Sequence, residues 1–115
     1  MNAGGGSSAP RAPVSDYEDG EGNSLSLRGA LSPGSRREYA AALAGSLLSR
    51  EDAEQRALEL LFERLAVSWT ISGVTTTGQR ELLGRLRLAS HAERRWVRET
   101  LRAHCVEWFP DVQVP

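Results

Sequence analysis

The chain has 115 residues, which is enough for one small domain. Its fourteen basic residues are all arginine, and fifteen acidic residues give a net charge of −1. This balance excludes a general electrostatic attraction to nucleic acid or membrane, and the lack of lysine excludes Schiff-base chemistry. A single cysteine, Cys105, excludes an internal disulfide and indicates a reducing compartment.

No stretch of eighteen consecutive apolar residues occurs, so we expect no membrane-spanning helix. The first residues lack the apolar segment of a secretory signal peptide, so we expect an intracellular location, in the cytoplasm or nucleus. An all-arginine basic set is typical of a GC-rich gene. We therefore expect an accessory protein of a high-GC bacterium or a virus.

Residues 1–34 are predicted to form a disordered acidic tail. They hold seven of the eleven glycines, three of the five prolines, and four acids against two arginines. Such a composition offers too little apolar surface to compensate for the loss of backbone entropy on folding. We therefore place the structured domain at residues 35–115.

Four helices are predicted after the tail, from apolar residues spaced three and four apart. Their expected bounds are residues 36–48, 50–66, 79–88 and 91–108. Ser49 is the expected N-cap of the second helix, and Ser90-His-Ala-Glu93 is a capping box for the last. The expected fold class is all-α, a small bundle of three to four short helices preceded by the disordered tail.

The second helix is apolar over an unusually wide arc. Leu58, Leu61 and Leu65 share one stripe, while Leu60 and Val67 extend an adjoining apolar face. A small bundle cannot easily surround so broad a face by itself. We therefore expect self-association, with a homodimer as the natural form.

Residues 67–72 alternate apolar and polar side chains, which is the period of a β-strand. A lone strand would have no partner within this chain and would require a second chain for pairing. A structured loop is therefore the preferred interpretation, and a strand is the alternative.

Few groups in the chain are suited to catalysis or metal binding. His91, His104 and Cys105 are the only imidazole or thiol groups, and the adjacent His104 and Cys105 point about 100° apart on a helix. We expect His104 to be a packed core residue. The sequence predicts a protein that is not an enzyme, with no metal, no cofactor and no small-molecule substrate.

The last helix carries an arginine face. Arg94, Arg95, Arg98 and Arg102 fall within about 100° of one another by helical projection. Such a face could lie along nucleic-acid phosphates, so nucleic-acid binding is an alternative function. A solvated helix face is the simpler interpretation.

Residues 100–109, Thr-Leu-Arg-Ala-His-Cys-Val-Glu-Trp-Phe, resemble the elongin-binding box of the von Hippel–Lindau and suppressor-of-cytokine-signalling families. In that box Leu101 and Cys105 would share one helix face and enter an apolar pocket of the partner. The resemblance implies a ubiquitin-ligase adaptor, a second alternative function. The same spacing also occurs in ordinary helical cores.

We conclude that the chain is a non-enzymatic protein-interaction or regulatory module that binds a protein partner or itself. Tryptophan and arginine are frequent at binding hot spots, which favours the last helix as a contact surface. The candidate partner-binding residues are Leu60, Val67, Trp96, Leu101, Cys105 and Trp108.

Overall fold

The computed structural model describes residues 13–45, 47 and 49–115, and this part of the chain forms an α+β fold with four helices and one four-stranded antiparallel sheet. The elements in chain order are β1 (Val14–Glu18), β2 (Ser24–Arg28), α1 (Pro33–Ala44), α2 (Arg50–Leu65), β3 (Ala66–Ile71), β4 (Val74–Thr77), α3 (Gln79–Arg87) and α4 (His91–Trp108). The prediction of an all-α bundle is therefore wrong.

The first two strands lie inside the segment that was predicted to be a disordered tail. Leu25 and Leu27 alternate with serines and are fully buried, so β2 has one apolar face despite its polar composition. The turn from β1 to β2 is closed by Asp19, whose carboxylate accepts hydrogen bonds from the Glu21 and Asn23 amides. Residues 1–12 of the predicted tail lie outside the described residues.

The strands follow one another in the order β1-β2-β3-β4, although α1 and α2 separate β2 from β3 in the chain. The preferred interpretation of residues 67–72, a structured loop, is wrong. Nearly all of them belong to β3, which pairs with β2. β3 then turns tightly into β4 through Ser72 and Gly73, with φ of 52° and 79°. Two consecutive positive φ values are those of a type I′ hairpin turn.

The predictions for the later three helices are confirmed, with ends within a residue or so of those expected. Ser49 caps α2 by accepting from the Asp52 amide, and the capping box at the start of α4 is complete. α1 instead begins at Pro33, because Ser32 is its N-cap and proline suits the first helical position. It ends at Ala44, and Leu47 beyond it is 98 % exposed.

Part of the wide apolar face of α2 is buried within the chain itself. α2 buries Leu58, Leu61, Phe62 and Leu65, and the Phe62 ring meets the Trp69 ring edge to face, with centroids 5.7 Å apart. The other buried residues of α2 are Ala53 and Ala57. The excess of apolar surface that motivated the homodimer prediction is therefore reduced within one chain.

A buried histidine joins β1 and β2 to α4. His104 is fully buried, and its Nε2 lies 2.7 Å from the Arg28 carbonyl oxygen, to which it donates. Its Nδ1 therefore accepts a hydrogen bond from the Tyr17 hydroxyl, also at 2.7 Å. Both ring nitrogens are satisfied in the neutral form, and the prediction of a packed core histidine is confirmed.

Stability should fall as the pH is lowered through the range in which unfolded histidine titrates. Burial lowers the pKa of His104 below its ordinary value of 6.5, so between these two values the unfolded chain binds a proton that the folded chain excludes. The stabilising contribution is complete above pH 6.5 and is lost as the pH falls toward the folded-state pKa. Urea unfolding at pH 7.5 and pH 5 should show a smaller free energy of unfolding at pH 5.

The matched variant is His104→Gln, which removes the titrating group. Its free energy of unfolding should change less between pH 7.5 and pH 5 than that of the wild type. The carboxyl groups of Asp19, Glu93 and Asp111 have pKa values lowered from 3.8 or 4.5, so they contribute at more acidic pH. Equal pH dependence in the two proteins would contradict the role of His104.

Candidate functional site

The predicted partner-binding residues do not share one surface. Leu101 and Cys105 are 0 % and 1 % exposed, on the face of α4 that packs against the rest of the core. Trp108 is half-buried, and its Cε3 lies 3.1 Å from where a Cβ at Gly29 would be. The resemblance to an elongin-binding box thus falls on side chains that this fold uses internally.

The remaining predicted partner residues lie at the edge of the core. Leu60 and Trp96 are half-buried and pack against it. Val67 is also half-buried and is the extra residue of a bulge, since Leu27 pairs with Ala66 and Ser26 with Ser68. Of the three side chains, the one that lines a sizeable cavity is Trp96.

That cavity, which we call the tryptophan cleft, has a volume of about 550 Å³. It lies between the β1–β2 turn, β3 and the first turns of α4. Its main lining side chains are Asp19, Glu21, Trp69, Ile71, Glu93 and Trp96. Two indoles and three carboxylates therefore meet in one cleft, and no arginine or histidine is among the described residues that line it.

The three carboxylates differ in how many hydrogen bonds and ion pairs they already make within the chain. Asp19 accepts from the Asn23 side chain and from two backbone amides, and these hydrogen bonds lower its pKa. Glu93 accepts from the Ser90 amide and pairs with Arg85, and both interactions lower its pKa. Glu21 is exposed, and its carboxylate makes no hydrogen bond with the described residues. The carboxylate most open to a ligand is therefore that of Glu21.

One tryptophan of the cleft already contacts a guanidinium. The Arg85 Cζ lies 5.3 Å from the centre of the Trp69 ring, and its Nη2 is 3.1 Å from a Glu93 oxygen. This is the geometry of a cation–π contact supported by an ion pair. Trp69, which is 2 % exposed, and Glu93 therefore already hold a cation, that of Arg85.

A second and smaller cavity lies on the other flank of α4, with a volume of about 160 Å³. We call it the basic cavity. Its polar lining consists of Gln55, His91, Arg94, Arg95 and Arg98. Three of the four arginines predicted as a nucleic-acid face thus surround one cavity.

The fourth arginine of that face has a different environment. Arg102 donates to the carbonyl oxygens of Val114 and Pro115, the latter at 2.7 Å. Arg94 is also partly committed, because its Nη2 donates to the Arg87 carbonyl at 2.7 Å, at the C-terminal end of α3. Helical projection grouped these side chains correctly but could not reveal their backbone partners.

The sequence-based interpretation missed most of the tryptophan cleft. Asp19 and Glu21 were assigned to the tail, and Trp69 and Ile71 to a loop. A signal for the hairpin was present, because two alternating pentapeptides, residues 14–18 and 24–28, flank a turn with two glycines and an asparagine. This signal was overlooked because residues 1–34 were interpreted from their overall composition.

Neither metal-ligand geometry nor similarity to known proteins assigns a function to either cavity. Among the described residues, no group of three or more histidine, cysteine or acidic side chains is placed to hold a metal ion. Within the same part of the chain, no helix is long and apolar enough to cross a membrane. No protein-family model, curated protein or solved structure matches the chain.

Cys105 should be nearly unreactive in the folded protein. Burial raises the pKa of its thiol to about 11, and the side chain is 1 % exposed. The thiolate fraction at pH 8 is then on the order of a hundredfold smaller than for a free cysteine. Ellman's reagent should therefore label the protein rapidly in urea and at least a hundredfold more slowly without it. Fast labelling of the native protein would show that residues 100–109 are accessible to a partner.

Proposed function

We propose that this protein is a non-enzymatic protein-interaction module whose tryptophan cleft binds a cationic side chain of a protein partner. The observation that carries the proposal is that the half-buried Trp96 and the exposed Glu21, whose carboxylate is unpaired among the described residues, line one cleft with no basic residue in its described lining. Such a lining complements the positive charge of an arginine or lysine side chain.

Each interaction with a bound cation contributes only a modest free energy of binding. A guanidinium over an indole face gains about 0.5–2 kcal/mol, depending on how far it is desolvated. An exposed ion pair with Glu21 adds up to about 1 kcal/mol. A single captured side chain therefore gives weak binding, and stronger binding requires neighbouring contacts with the half-buried Trp96.

Arginine is the better fit of the two cations. Its planar guanidinium stacks on an indole while its edge donates to a carboxylate, and Arg85 does both with Trp69 and Glu93. A second guanidinium at Trp96 and Glu21 would repeat this arrangement at the open side of the cleft. We therefore infer an arginine-containing partner segment.

The homodimer remains a prediction, now with a different basis. A second copy could supply the cation, because Arg37, Arg56 and Arg80 are exposed and make no hydrogen bond or ion pair with the described residues. The exposed large apolar side chains Val14, Leu47, Val74, Leu88 and Val106 come from separate segments of the chain. If the cleft mediates self-association, Glu21→Gln should shift the mass measured by light scattering toward that of a monomer.

The cleft should bind a Gly-Arg-Gly-Arg-Gly peptide and should not bind its citrulline analogue. Citrulline keeps the shape of arginine and removes the charge, so the comparison isolates recognition of the cation. We expect the indole Nε1–H signals of Trp69 and Trp96 to shift on titration with the arginine peptide. Glu21→Gln should weaken binding up to about fivefold, the range of an exposed ion pair.

The matched control is Glu99→Gln, an identical charge change at an exposed position of α4 that does not line the cleft. It should leave the affinity unchanged. Trp96→Leu keeps an apolar side chain but removes the ring face, and it should weaken binding further. Equal binding of the two peptides, or equal effects of the two glutamate variants, would refute cation recognition in the cleft.

A further inference from the structure

The basic cavity has the composition of an anion site. Three arginines and a histidine line it, and no carboxylate is among its described lining residues. Glu59 lies close by, since its Oε2 accepts from the lining residue Gln55 at 3.1 Å. Its other oxygen is paired with Arg87 at 3.1 Å, so its charge is already compensated.

Two of the guanidinium groups at this cavity are open to a ligand. Arg95 and Arg98 are exposed, lie about 60° apart by helical projection, and have no internal partner among the described residues. Arg94 borders the same cavity while it donates to the Arg87 carbonyl. Planar guanidinium forks bind carboxylate and phosphate oxygens in pairs, which lysine cannot do.

The basic cavity has one apolar wall, and its volume limits the size of a ligand. Leu58 and Leu86 line it, and each is at most 5 % exposed. The volume of the cavity is about 160 Å³. This is enough for one phosphate group with its four oxygens.

We propose that the basic cavity binds a single phosphate group, as presented by a phosphate monoester. Arg95 and Arg98 would hold its oxygens, with His91 and Gln55 at the rim. This site is separate from the tryptophan cleft, and neither proposal depends on the other.

A nucleic-acid backbone fits this surface less well. Extended binding to a duplex uses about six to ten phosphate contacts and shows a steep dependence on salt. Here Arg102 is engaged with the carbonyl groups of Val114 and Pro115, so the stripe of four arginines is reduced to a cluster at one cavity. Two open guanidinium groups suit one phosphate.

The test uses the full chain with inorganic phosphate and O-phosphoserine as probes. We expect amide and arginine Nε–H signals around residues 91–98 to shift in a saturable way with both probes. Unphosphorylated serine should cause no shift. The double variant Arg95→Gln/Arg98→Gln should weaken phosphate binding at least tenfold, while circular dichroism shows unchanged helix content because both side chains are exposed.

Arg102→Gln is the matched control, since it removes one exposed charge from the same helix outside the cavity. Binding of phosphate should be unaffected by it. The proposal would be overturned if phosphate and O-phosphoserine caused no saturable shifts. It would also be overturned if a DNA duplex bound far more tightly than either probe, with a salt dependence of several phosphates and a loss on Arg102→Gln.

Discussion

The hydrogen bonds of the buried His104 imidazole join the first two strands to α4. It accepts from Tyr17 in β1 and donates to the Arg28 carbonyl at the end of β2, while its own backbone belongs to α4. β2 also pairs with β3, whereas β1 lies at the edge of the sheet and, within the described part of the chain, pairs with β2 alone. The hydrogen bond to Tyr17 therefore ties the outer strand to the helical layer. The β1–β2 turn, which supplies Asp19 and Glu21 to the tryptophan cleft, is also held by Asn23, whose Oδ1 accepts from the Ser72 amide at 2.9 Å.

The helices could be predicted from sequence because their signals are local. Ser49 and Ser90 cap the helices that follow them, and the chemistry of each cap is complete within four residues. The strands could not be predicted in the same way, since their stability comes from pairing across the chain. β2 and β3 are adjacent in the sheet but are separated by two helices in sequence. Treating residues 14–28 as a tail also removed the partner that residues 67–72 needed, so one error caused the other.

The two candidate sites differ in the same way, because a local sequence pattern could reveal one of them and could not reveal the other. The basic cavity draws its arginines from neighbouring turns of α4, so helical projection from the sequence could group them. The tryptophan cleft combines a turn, a strand and a helix from three separate segments, so no local pattern could reveal it. Trp96 was identified as a contact residue because tryptophan is frequent at binding hot spots. Its acidic neighbours Asp19 and Glu21 became visible only once the first two strands were placed.

In both cavities, internal hydrogen bonds decide which charges remain for a ligand. Asp19 is used to close a turn and Glu93 to cap a helix, so the charge left in the cleft is mainly that of Glu21. In the basic cavity Arg94 is used at the end of α3, which leaves Arg95 and Arg98. A count of charged residues would describe a strongly acidic site and a strongly basic one. The hydrogen bonds within the described residues instead leave mainly one carboxylate, that of Glu21, in the tryptophan cleft and two guanidinium groups, those of Arg95 and Arg98, in the basic cavity.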